Sequence, residues 1–149
     1  MLAALFVEAR KLNRSLAALL AIAAPSLIAL FTFFNMMRGK APAPWDMWMG
    51  SASAIWAFFM LPMSVTALTA LVAHMEHGPK SWDHLRALPL PRWKLYAAKA
   101  VCVLAVVAAM SAMTLLMVWG AVTLAAVLKP ELTPMGPFDL EAYGRTMGL

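Results

Sequence analysis

Charge is what this chain has least of. Only 13% of its 149 residues are Asp, Glu, Lys or Arg and 63% are hydrophobic, where an ordinary soluble domain has about 25% and about 45–50%. That balance argues against a soluble enzyme. The single cysteine, Cys102, excludes both a disulfide framework and a thiolate metal cluster; it sits in an apolar run, where its role is packing. No Gly-rich phosphate loop, nucleophile elbow or Ser/His/Asp constellation occurs, so the chain is not expected to hydrolyse a nucleotide itself. The few charges also leave three long stretches untouched: 23 residues between Arg14 and Arg38, 29 between Asp46 and Glu76, and 29 between Lys99 and Lys129. With no Asp, Glu, Lys or Arg inside any of them, the usual mark of a proton relay or an ion-coupled carrier is missing.

Each stretch exceeds the ~20 residues that a helix needs to cross a bilayer core. The expected fold is all-α, a polytopic transmembrane helical protein with three spans at 16–37, 49–73 and 98–128, built as one domain. A cleavable leader is the rival for the first run, since Arg10, Lys11 and Arg14 precede Ala21-Ile22-Ala23. That run continues to Met37, however, beyond the ~7–15 residues of a leader's apolar core. Ahead of it, residues 1–14 read as an amphipathic helix lying in the headgroup plane. Leu2, Leu5, Phe6, Ala9 and Leu12 share one face, and Glu8, Arg10, Lys11 and Arg14 the other. Residues 38–50, with Pro42, Pro44, Trp45 and Trp48, read as a turn with an interfacial aromatic anchor. After Lys129, Pro130, Pro134, Gly136 and Pro137 break any helix, so 129–149 reads as an external tail.

Lys and Arg gather on the cytoplasmic side of a membrane protein. The segment before the first span and the connection that ends at Lys99 hold eight of the twelve, namely Arg10, Lys11, Arg14, Lys80, Arg86, Arg92, Lys94 and Lys99. Both are therefore expected in the cytoplasm, with the N-terminus. Headgroups and orientation account for this basic charge, and no nucleic-acid partner is implied. His74, His77 and His84 lie in that connection with Glu76 and Asp83, but a metal needs further ligands held rigidly, and hydrated loop histidines are the better reading. Met110, Met113 and Met117 recur at helical spacing; thioethers suit Cu(I), yet methionine is also a flexible packing residue, and spacing alone does not separate the two.

The informative stretch is His74 to Lys99, HMEHGPKSWDHLRALPLPRWKLYAAK. Gly78-Pro79 turns the chain, Ser81 caps, and Trp82, Leu85 and Leu88 line one side of a short helix that Pro89 and Pro91 stop. Lys80, Asp83 and Arg86 present charge beside that stripe, which reads as a docking surface. With Glu76, Trp82, Leu88-Pro89, Pro91-Arg92 and Lys99 in this order, and Glu8, Lys11 and Arg14 in the opening helix, residues 1–128 resemble the ABC-2 type transporter permeases. The likeness is strongest to the lantibiotic-immunity and bacitracin-type exporter group.

The resemblance implies the permease subunit of an ATP-driven exporter in a bacterial plasma membrane. Its partners would be a separate ATPase subunit, which binds ATP and Mg, and a second permease copy or related permease in the bilayer. Glu76, His77, Lys80, Trp82, Leu85, Arg86 and Leu88 would then form the coupling element in a groove of the ATPase. Glu8, Lys11 and Arg14 would lie along the inner membrane face, and Arg92, Lys94 and Lys99 would hold the start of the third span at the headgroups. Permeases of that family have six spans, so three spans lead us to expect the first half of a longer unit, or a half-permease with a complementary chain. A holin-like or pore-forming oligomer, which also has about three spans and a basic cytoplasmic side, is the competing class.

Overall fold

The structure, a computed structural model, describes residues 16–77 and 92–148. The first span is α1 (Leu16–Arg38). The second is one continuous helical rod in four pieces: a π-helical turn at Asp46–Gly50, α2 (Ser51–Ile55), a second π turn at Trp56–Met60, and α3 (Leu61–His77). The third is α4 (Arg92–Leu128), followed by a 3₁₀ turn at Pro130–Leu132 and α5 (Leu140–Met147). No strand occurs among the described residues. The chain is an all-α polytopic membrane protein with three helices long and apolar enough to cross a membrane.

Helix is the obligatory conformation for such runs, because hydrocarbon offers backbone N–H and C=O groups no partner outside the segment. Pro25 is tolerated within α1, where it is buried against the other helices. Pro62 is handled differently. Lacking an N–H, and with a ring that crowds the carbonyl four residues earlier, it follows the π turn at Trp56–Met60, whose wider winding absorbs the misfit.

Packing is led by α1 against α4. On α1, Ala24, Ile28, Thr32 and Met36 recur every four residues on the buried face; on α4, Ser111, Thr114, Val118, Val122 and Ala125 recur every three or four. Small residues dominate these faces and let the backbones approach closely. Their hydroxyls are satisfied locally: Thr32 donates to the Ile28 carbonyl at 2.9 Å, Ser53 to Met49 at 2.7 Å and Thr114 to Met110 at 2.8 Å. Trp56 Nε1 donates to Ser111 Oγ at 2.9 Å, a buried side-chain bond between the second and third spans. The outward faces are apolar too, with Phe58 84%, Val127 75% and Leu104 68% exposed. An exterior of that kind suits lipid or partner helices, not water.

Lys129 and Pro44 fix the order of the ends. Lys129, just past α4, donates its ammonium to the Met37 carbonyl at the end of α1 (2.9 Å). Met135 pairs with the start of the second span, donating to the Ala43 carbonyl (3.2 Å) and accepting from Trp45 N (3.1 Å). The first and third spans thus run parallel and the second antiparallel. Residues 39–50 and 129–148 close one end of the bundle, and α3 and α4 reach the other at His77 and Arg92.

The segment after Lys129 departs from the expectation that its prolines and glycine break any helix. Helix α5 forms there because Asp139 caps it, accepting from Ala142 N at 3.0 Å, and Gly148 ends it in the left-handed conformation at φ 83°.

Candidate functional site

The residues expected to couple to an ATPase fall mostly outside the described ones. Lys80, Trp82, Leu85, Arg86 and Leu88 lie there, as do Glu8, Lys11 and Arg14 of the opening helix. Glu76 and His77 occupy the last turn of α3, and Arg92 and Lys94 the first turn of α4. Lys99 stands half-buried two turns into α4. With 37 residues, α4 is roughly 55 Å long at 1.5 Å per residue, well beyond the ~30 Å hydrocarbon core. Its basic first turns are continuous with the transmembrane rod, so a force applied near Arg92 is transmitted along one helix to Leu128.

At the opposite end, the chain after Lys129 forms a cap. Tyr143 donates its phenol to Asp46 Oδ1 at 2.7 Å, which ties α5 to the first turn of the second span. Phe138 stands edge-on to Trp45, ring centroids 5.0 Å apart, and lies 5.8 Å from Tyr143. Tyr143, Gly144 and Met147 face inward, while Glu141 and Arg145 pair on the outer face of α5. Burial first, then the bond to Asp46, then the charges of Asp46 and Asp139 raise the Tyr143 pKa from 10.0 to about 12. The phenol is therefore a standing donor.

Beside the cap, the end of α1 and the start of the second span enclose an open cleft of about 420 Å³. Phe31, Thr32, Asn35, Arg38 and Gly39 form one wall; Met47, Trp48, Ser51 and Ile55 form the other. Most of its hydroxyls and amides are turned inward on their own helices. Asn35 Nδ2 donates to the Phe31 carbonyl at 2.8 Å, Thr32 to Ile28, and Ser51 to Met47 and Trp48. Trp48 differs, since its indole N–H is buried with no hydrogen-bond partner among the described residues. Sequence reasoning did not single this cleft out. The signal for it was Asn35, the one amide side chain within the three uncharged runs, three residues before Arg38 and so on the same helix face.

Among the described residues no group of three or more His, Cys, Asp or Glu could hold a metal. Met110 is buried in the core, and Met117 is partly buried with its sulfur 3.9 Å from the Ser26 hydroxyl.

Long apolar helices with apolar outer faces define a polytopic membrane protein. Residues 4–136 match the family described as ABC-2 family transporter protein, and the chain belongs to that family. It is thereby a membrane component of the ABC transporter class, whose transmembrane subunits are generally non-catalytic and work with an ATPase. No curated protein and no solved structure matches it.

Proposed function

We propose that this chain is a permease subunit of an ATP-driven exporter akin to the lantibiotic-immunity and bacitracin-type group, set in a bacterial plasma membrane with its N-terminus in the cytoplasm. The observation that carries this reading is the family match over 4–136, a range that includes the 74–99 stretch. ATP and Mg are bound by the partner ATPase. Glu76, His77, Lys80, Trp82, Leu85, Arg86 and Leu88 dock on it, and nucleotide-driven closure of the ATPase moves the spans as rigid bodies through that contact. Glu8, Lys11 and Arg14 lie along the inner face, and Arg92, Lys94 and Lys99 anchor α4 at the headgroups. Only 33%, 22% and 33% of the three membrane windows are buried within the chain, which supports a second permease copy or half beside these helices.

The test is to tag the chain in its native membrane, solubilise it gently and identify by mass spectrometry what co-purifies. An ATPase with a phosphate-binding loop is expected, and is expected to be lost on Trp82→Ala or Leu85→Asp while insertion stays intact. ATPase association unchanged by either substitution overturns the assigned contact. Recovery of the chain alone as a large homo-oligomer overturns the permease reading in favour of a pore-forming one.

A further inference from the structure

We propose that the cleft between the end of α1 and the start of the second span is a binding site for the phosphodiester headgroup of an anionic phospholipid. The inference stands apart from the ATPase partnership and rests on three features of the cleft.

The first is its chemistry. The one charged group in the cleft is the exposed Arg38 guanidinium; the Trp48 indole N–H, buried in the wall, has no hydrogen-bond partner among the described residues, and Asn35 leaves its amide oxygen as a neutral acceptor. No carboxylate lines the cleft. The nearest in sequence, Asp46, is engaged by Tyr143. One cation with no carboxylate in the lining favours an anion, and no acidic side chain in the cleft would pair with the ammonium of a zwitterionic headgroup.

The second is depth. The first span ends at Arg38 and the second begins at Asp46, so this rim of the cleft lies where headgroups lie. Phe31 and Ile55 sit about two turns further in and give the same cleft an apolar floor at acyl-chain level. A polar mouth over an apolar floor fits an amphiphile better than a free ion. The third is size, since about 420 Å³ falls within the range of small-ligand sites.

The experiment titrates the purified full chain in mild detergent with phosphatidylglycerol, then with phosphatidylcholine and inorganic phosphate, and counts bound adducts by native mass spectrometry. One phosphatidylglycerol is expected to bind. Arg38→Gln should weaken it about tenfold, the value of a charge-assisted hydrogen bond, and Trp48→Phe about threefold. Arg38→Lys, which keeps the charge and loses the fork, should fall between wild type and Arg38→Gln. Lys40→Gln, a neighbouring exposed cation outside the cleft, should change affinity less than about twofold. Circular dichroism of each variant confirms that the helices are intact, and Arg38→Lys carries the test if Arg38→Gln fails to fold. Equal losses for Arg38→Gln and Lys40→Gln, unchanged binding in Arg38→Gln and Trp48→Phe, or the lack of any specific adduct overturns the proposal. Equal retention of phosphatidylcholine overturns the anionic selectivity, and competition by inorganic phosphate at the same concentration overturns the assignment to lipid.

Discussion

Tyr143 and Asp46 are 97 positions apart and joined by one hydrogen bond of 2.7 Å, which ties α5 to the second span. A net intramolecular hydrogen bond contributes about 1 kcal/mol, so Tyr143→Phe should lower stability by about that amount, read as the midpoint of thermal unfolding in detergent. The phenol also sets a pH limit. Its pKa is raised from 10.0 to about 12 in the folded chain, so the fold favours the protonated form. Its contribution is complete below pH 10 and is lost as pH rises from there through about 12. In a Tyr96→Phe background, tyrosinate absorbance should then titrate near 12 and return toward 10 on Asp46→Asn; a midpoint near 10 in the intact chain would show that the contact does not form. This pair is not legible in the sequence, because nothing about an Asp after Trp45 and a Tyr in the tail marks them as neighbours. By contrast, the uncharged character of residues 15–37 and 100–128 is visible by inspection, and hydrocarbon leaves such runs little choice but helix.

Helices α4 and α5 show what was legible at the level of elements and what was not. A run of 29 uncharged residues announces α4; α5 is eight residues long and follows three prolines and a glycine within eight positions. Helices so short are marginal alone and form where a packed face supports them, which here is Tyr143 and Met147 against the bundle end. Its signature was nevertheless present: Asp139 as cap, Glu141 and Arg145 four apart, and Gly148 beyond the last turn. The π turns at Asp46–Gly50 and Trp56–Met60 had no comparable signal, although Pro62 explains the second. Asp139→Ala removes the cap at a cost of about 0.5–2 kcal/mol. Amide hydrogen exchange should therefore speed up across 140–147 while protection in α1 and α4 is unchanged. Loss of protection in α1 as well would mean that the cap and the spans open as one unit.

The distribution of charge over the whole molecule gives its orientation a testable sign. The end closed by 39–50 and 129–148 carries Arg38, Lys40, Lys129 and Arg145 against Asp46, Glu131, Asp139 and Glu141, and is neutral. The segments adjoining the other end, 1–15 and 75–99, carry eight Lys and Arg against Glu8, Glu76 and Asp83, so the chain's entire net charge of +5 belongs to that side. Lys and Arg near span ends, rather than net charge, decide orientation, and by either measure the proposed cytoplasmic face is the connection side. Antiparallel packing makes this a single decision: Lys129 on the Met37 carbonyl and Met135 on Ala43 hold the cap of all three spans together, so no span turns over alone without breaking that end. With Cys102→Ala to clear the one native thiol, Lys40→Cys and Glu141→Cys should each react with a membrane-impermeant maleimide in intact cells. Lys80→Cys should react only after permeabilisation. The reverse pattern would place the cap in the cytoplasm and remove the 78–91 connection from reach of any cytoplasmic ATPase. Labelling of Lys40→Cys and Glu141→Cys from opposite sides would break the cap itself, because Met135 could not then pair with the strand of chain that leads from Lys40 into the second span.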